Sequence, residues 1–217
     1  MNELSYSSCN SKKEYFDKTL DKIFNKKRNG FYIELGANDG LTQSNTAFFE
    51  FYRDWKGILI EPSYKGYKLC LKNRPKAICV NKGCVSKDYQ GNIAHGNFGE
   101  NSLMASIDGI RQKGFDDSST KIQVTTLENI LNENNVNNID FLSLDVEGYE
   151  LNVLQGINLF KYRPLYILIE IYKENLEQTC EYMQKHNYEL ICNFSNYNLK
   201  DCPNWDETHN DYLFKTQ

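Results

Sequence analysis

Short apolar runs that alternate with helix-patterned segments constrain this chain more than any other feature of its sequence. FYIEL (31–35), GILIEP (57–62), AICVN (77–81), IDFLSLD (139–145) and LYILIEI (165–171) are short enough for buried strands. Between them lie segments with apolar residues at helical spacing: Phe48, Phe49 and Tyr52, then residues 64–71, then Leu151, Leu154 and Ile157. Parallel strands require crossover connections of this kind, and near-continuous apolar runs suit strands covered on both faces. The expected fold is α/β, with a doubly wound, mostly parallel sheet. A helix over 176–186 is followed by YELICNF and NDYLFK, which read as a closing antiparallel pair.

Other segments are less regular. Ser11 and Glu14 have capping-box spacing ahead of Phe16, Leu20, Ile23 and Phe24, which predicts a helix of about three turns ended by Asn29-Gly30. Residues 1–28 therefore read as a helical extension and 29–217 as the main domain. From 83 to 121 the periodicity breaks, notably in HGNFGENSLMASI, and loops with irregular strands are expected. A second capping box, Thr125 with Glu128, precedes a helix around 127–131.

A chain of 217 residues fits one compact domain. Its 25 Lys plus Arg against 29 Asp plus Glu give a formal charge of −4, which implies no bulk attraction to nucleic acid or an anionic membrane. Lys26-Lys27-Arg28 reads as a solvated helix end. No stretch approaches the roughly 18 apolar residues of a membrane span, and the first residues carry no apolar export signal. Seven cysteines, an odd set without zinc-like spacing, read as reduced thiols. A soluble, cytoplasmic protein is expected.

In a doubly wound sheet, ligands lie beyond the carboxyl ends of the strands, beside the first strand. Here that strand runs into Glu34-Leu35-Gly36-Ala37-Asn38-Asp39-Gly40. The glycines allow a tight turn and close backbone approach, and Glu34 and Asp39 bring negative charge to the ligand. Glu61, closing the second strand, is placed to accept hydrogen bonds from both hydroxyls of a ribose. A dinucleotide fingerprint needs a glycine where Asn38 stands, and two acids beside the loop would repel phosphates. S-adenosylmethionine (SAM) has no phosphate and carries a sulfonium and an ammonium group, so an acidic loop suits it.

ELGANDG, TQSNT (42–46), ILIEP, IDFLSLDVEGYELNVLQGI and NWDETHNDYLFK together resemble the motif series of FkbM-type methyltransferases, over roughly residues 29–215. The resemblance implies the class I methyltransferase fold, a Rossmann-like seven-stranded sheet with a closing antiparallel strand. It also implies SAM as donor, bound by Glu34, Gly36, Ala37, Asn38, Asp39, Gly40, Ser44, Asn45, Thr46, Glu61 and Asp145. The implied reaction is O-methylation, commonly of sugars in glycans or of secondary-metabolite hydroxyls.

Such chemistry must align donor and acceptor and accept the acceptor's proton. Asp145 at the end of the fourth strand, Glu147 just after it and Glu170 near the end of the fifth all point to the expected rim. Asp145 and Glu170 are similar in placement to the acids that hold a divalent metal in catechol O-methyltransferases, and hard oxygen ligands suit Mg²⁺ or Mn²⁺. The bland readings are a helix cap for Asp145 and a favourable dipole position for Glu147. His209 is a further candidate base or acceptor contact. Trp205 reads either as a platform for a sugar face or as loop packing. His95 and His186 carry no catalytic reading. Two other functions compete: an NAD-binding Rossmann enzyme, disfavoured by Asn38, and a catalytically silent SAM-binding partner.

Overall fold

A computed structural model describes residues 3–96 and 120–217. Among the described residues ten strands occur in chain order, the first five being β1 (Phe31–Leu35), β2 (Lys56–Ile60), β3 (Ile78–Val80), β4 (Gly83–Cys84) and β5 (Ile93–Gly96). After them come β6 (Thr120–Thr125), β7 (Phe141–Leu144), β8 (Tyr166–Tyr172), β9 (Tyr188–Asn193) and β10 (His209–Thr216). The helices are α1 (Phe16–Ile23), α2 (Ala47–Arg53), α3 (Tyr64–Asn73), α4 (Leu127–Glu133), α5 (Glu150–Gln155) and α6 (Leu176–Lys185). Seven strands form one sheet in the order β3-β2-β1-β7-β8-β10-β9. The first five pair in parallel, whereas β10 is antiparallel to both β8 and β9. The expected mostly parallel sheet with an antiparallel closing strand is therefore present. Chain order reverses between β1 and β7, which puts the ligand crevice beyond their carboxyl ends.

Strand alternation divides the core between two faces. Ile33 and Leu35, Ile58 and Ile60, Leu142 and Leu144, and Ile167, Ile169 and Ile171 face one side. Tyr32, Leu59, Phe141 and Leu168 face the other, against Phe48, Phe49 and Trp55. That second face also receives Phe16, Leu20 and Phe24, so α1 packs into the same core as the sheet. The N-terminal segment is pinned electrostatically as well. Arg53 donates to Asp21 (2.7 and 2.6 Å) and to Glu3 (2.7 and 3.0 Å), and Asp17 accepts from the Ser5 hydroxyl (2.6 Å) and the Tyr6 N–H (2.8 Å).

Both expected capping boxes need correction. Helix α1 begins after Tyr15, whose side chain makes no cap, and Asn10 instead accepts from the Lys12 and Glu14 N–H groups (3.0 Å each). The helix is also shorter than expected, because Asn25 and Lys26 take left-handed conformations just after it. At α4 the cap is Thr126, one residue later than read, accepting from the Asn129 N–H at 3.1 Å. Within 83–121 the chain is more regular than expected at its ends: β4, β6 and β5 form a separate small sheet. Most of HGNFGENSLMASI lies outside the described residues.

Candidate active site

The turn after β1 is closed by backbone bonds from Gly36 and Ala37 N–H to the Ile60 carbonyl (3.1 and 3.3 Å) and from Gly40 N–H to the Ala37 carbonyl (2.7 Å). Gly36 and Gly40 have φ of +77° and +80°, and Asn38 has +50°. At Gly36 the need for glycine is steric as well: a Cβ there would lie 1.8 Å from the Asp145 carbonyl oxygen. The loop after β1 and the loop after β7 thus meet backbone to backbone.

The acids around this turn brace it. Glu34, buried at the end of β1, accepts from the Ser44 hydroxyl (2.8 Å), the Asn45 N–H (2.8 Å) and the Thr46 hydroxyl (2.6 Å). Asp39 accepts from the Leu41 and Thr42 N–H groups (2.8 and 2.7 Å) and the Thr42 hydroxyl (2.8 Å). Partial burial pushes the Asp39 carboxyl upward, but the Thr42 and Leu41 bonds outweigh it and leave its pKa lowered. Glu61 accepts from the Asn38 N–H (2.9 Å) and the Ser63 N–H (2.8 Å). Burial raises its pKa to about 7 against the pull of those two bonds.

Beneath the loop lies Arg74, fully buried and unremarked in the sequence reading. It donates to Glu50 (2.9 Å), the Gly40 carbonyl (2.9 Å), Ser44 Oγ (3.3 Å) and Thr46 Oγ1 (3.1 Å), and lies 3.9 Å from Glu34. Tyr32 donates its hydroxyl to the same Glu50. Asn45 donates to Ser143 Oγ (3.0 Å), while its own Oδ1 is buried with no hydrogen-bond partner.

At the ends of β7 and β8 the structure brings Asp145, Glu147 and Glu170 together, with one carboxylate oxygen of each lying within 4.8 Å of the others. The turn carrying Glu147 runs through two left-handed residues, Glu147 (φ +59°) and Gly148 (φ +95°). Glu150 holds it, accepting from the Val146 and Gly148 N–H groups at 3.0 Å each. Asp145 is exposed to solvent, although protein atoms crowd its carboxyl. Desolvation there, then Glu147, Asp211 and Glu150, push its pKa well above the usual carboxylate range. Burial first, then Asp145 and Asp211, push Glu170 in the same direction. Glu170 Oε2 is buried without a hydrogen-bond partner.

The last strand completes the cluster. His209 Nε2 lies 3.1 Å from Glu170 Oε1, and the antiparallel register sets Asp211 opposite Glu170. Burial raises the Asp211 pKa to about 7. The Thr208 hydroxyl donates to Asp206 (2.6 Å), so it can only accept from His209 Nδ1 at 2.7 Å. In a neutral imidazole Nε2 is then an acceptor, which a protonated Glu170 carboxyl meets as donor. Tyr172 donates to Glu147 at 2.9 Å. Trp205 packs the loop: its indole N–H bonds the His209 carbonyl (3.1 Å) and Lys173 Nζ lies over its ring at 5.0 Å. His95 is exposed on β5, and His186 bonds the Tyr182 carbonyl (2.7 Å), away from this rim. Asp211, Glu150, Tyr172 and Arg74 were missed in the sequence; only Glu150, within the DVEGYE motif, carried any local signal.

Sheet order, a reversed last strand and a braced glycine turn at the switch point define a class I methyltransferase. The Methyltransferase FkbM domain matches residues 34–190, and the chain belongs to that family, whose methyl donor is SAM. Among solved structures, FkbM from Methylobacillus flagellatus KT superimposes with a TM-score of 0.54 at 14% identity, covering 86% of this chain and 43% of that one. This chain thus spans less than half the length of that relative. The METTL16 MTase domain gives a TM-score of 0.50 at 12% identity, covering 93% and 66%. M. capricolum TrmK in complex with S-adenosyl-homocysteine gives 0.47 at 11% identity, covering 92% and 68%. At such identities the likeness is one of fold. No curated protein matches the chain in sequence. No helix among the described residues is long and apolar enough to cross a membrane.

Proposed function

We propose that this protein transfers the methyl group of SAM to a hydroxyl of a small, sugar-like acceptor, as an O-methyltransferase. The observation that carries the reading is the cluster of Asp145, Glu147 and Glu170 at the rim where Asp145 abuts Gly36. In the reaction the acceptor oxygen forms a bond to the methyl carbon, the carbon–sulfur bond breaks, and S-adenosylhomocysteine leaves. The hydroxyl proton passes to a rim group, Asp145 or Glu170 in its ionised form or His209 through Nε2. Mg²⁺ or Mn²⁺ on Asp145 and Glu170 belongs to the same reading.

The donor side supports it. A carboxylate has about four lone-pair sites, so Glu61 keeps capacity for two ribose hydroxyls beside its bonds to Asn38 and Ser63. The unpartnered Oδ1 of Asn45 offers an acceptor to the ammonium of SAM. All seven cysteines are free thiols, which suits a reducing cytoplasm. Calorimetry with SAM, S-adenosylhomocysteine and NAD tests the donor: binding of NAD and neither sulfur ligand would overturn it. Transfer of labelled methyl to a glycan or metabolite pool tests the chemistry, since a silent SAM-binding partner would bind without transferring.

A further inference from the structure

We infer that Arg74, helped by Asn73, is a positioning residue for the methyl donor: from the C-terminal end of α3 the two side chains hold the carbonyls of the turn after β1, so that residues 36–40 are set for SAM before SAM arrives. The inference rests on the donor reading above and deepens it.

Successive carbonyls of the turn are met by side chains from the end of one helix. The Cys70 thiol donates to the Asn38 carbonyl (3.2 Å), Asn73 Nδ2 to the Asp39 carbonyl (2.9 Å) and Arg74 Nη1 to the Gly40 carbonyl (2.9 Å). Gly40 lies directly on this helix end: a Cβ there would come 3.0 Å from Arg74 Cγ and 3.5 Å from the Cys70 Cα. Glycines at φ of +77° and +80°, as Gly36 and Gly40 are, leave that conformation as readily as they enter it. The shape of the turn is therefore imposed from outside, and α3 is one of the walls that impose it.

Neutralising Glu50 is only part of what the guanidinium does. Nε donates to Glu50 (2.9 Å), while Nη1 also reaches Ser44 Oγ (3.3 Å) and Nη2 reaches Thr46 Oγ1 (3.1 Å). Both hydroxyls give their own hydrogens to Glu34 (2.8 and 2.6 Å), so toward Arg74 they can only accept. The bonds run one way, from guanidinium to hydroxyl to the carboxylate on β1, and a chain of that kind polarises cooperatively. One planar fork thus ties together the end of β1, the turn and the start of α2, which the single ammonium of a lysine could not span. Buried beneath the turn, Arg74 acts on the donor through the backbone.

Calorimetry of the full chain with S-adenosylhomocysteine tests this on the wild type, Asn73→Ala, Arg74→Met and Arg74→Met/Glu50→Gln, with the urea midpoint of each measured beside it. A turn ordered in only a fraction of molecules binds with its affinity reduced by that fraction. Asn73 is half-buried and gives up one bond to the turn, so Asn73→Ala should raise the dissociation constant about 5-fold. Arg74→Met gives up the bonds to Gly40, Ser44 and Thr46 and should raise it about 10- to 100-fold. The double variant separates positioning from stability. Removing the Glu50 charge left behind should recover part of the urea midpoint, yet leave S-adenosylhomocysteine bound as weakly as by Arg74→Met. Affinity that recovers with the midpoint, or wild-type affinity in Arg74→Met, overturns the inference. Where circular dichroism shows both Arg74 variants unfolded, Asn73→Ala decides, and a dissociation constant within about 2-fold of the wild type overturns it. In each of those cases binding by the wild type leaves the donor reading standing, whereas a folded wild type that does not bind S-adenosylhomocysteine strikes the donor reading itself.

Discussion

Arg74→Met removes the cation under the donor loop while keeping most of the side chain's length and apolar bulk. Four hydrogen bonds go with it, to Glu50, the Gly40 carbonyl, Ser44 and Thr46. The bonds to neutral groups matter least, because each contributes about 1 kcal/mol net. The larger effect is on Glu50, 5% exposed, which among the described residues retains only the Tyr32 hydroxyl, and on Glu34, which loses a cation at 3.9 Å. Removing one partner of a buried ion pair costs about 3–5 kcal/mol, since the other charge stays behind. Against a typical domain stability of about 5–15 kcal/mol, that is roughly a fifth or more of the total. With a urea slope of about 3 kcal/mol/M for a chain of this size, the midpoint should fall by about 1–2 M at unchanged slope. Urea unfolding followed by circular dichroism reads this directly. Arg74→Met/Glu50→Gln should be more stable than Arg74→Met alone, because the stranded charge is gone. A loss below about 1 kcal/mol, or a double variant worse than the single one, would refute the argument.

Glu61, with its pKa raised to about 7 by burial, is protonated more readily in the folded than in the unfolded chain. The folded state therefore binds the extra proton between the ordinary carboxylate value and 7, and the stability this group contributes is lost as pH rises through 7. Ionised Glu61 is the better acceptor for ribose, so SAM affinity should rise from pH 6 to pH 8 by calorimetry, and Glu61→Gln should flatten that rise. Glu61→Ala should raise the SAM dissociation constant by about 30- to 150-fold, equivalent to about 2–3 kcal/mol; an unchanged affinity would remove Glu61 from the site. Gly36→Val should abolish SAM binding, because its side chain would collide with the Asp145 carbonyl at a φ of +77°; a folded variant that binds SAM normally would show the loop to be a mere connection. Asp145→Asn should keep SAM affinity within a few-fold and lower turnover by roughly 10²–10⁴; near-normal turnover on the true acceptor would shift the base to His209 or Glu147.

The strands were legible because their signals are local: FYIEL and IDFLSLD are apolar runs of strand length, and the structure places β1 and β7 within them. Glu34, Asp39 and Glu61 were legible as residues of the donor turn, but not as its braces, since their partners come from 38, 41–46 and 63 in a folded loop. Capping failed at Ser11 because Asn10 competes for the same N–H groups, a choice that spacing does not decide. Arg74 and Asp211 were invisible for a different reason. A charged residue just after a helix or near the start of a strand ordinarily faces water, and only the crossover from α3 and the register of β10 put these two under the loop and beside Glu170.

The reversal of β10 has a consequence for the nascent chain. Because that strand runs against its neighbours, its first residues, His209 and Asp211, arrive at the rim where the parallel strands end. The donor turn around Gly36 is synthesised before these two, by a gap on the order of ten seconds at common elongation rates. A growing polypeptide therefore carries the residues of the Gly36 turn well before it carries the complete set of rim groups, and the reversed strand closes the rim only once it has been made.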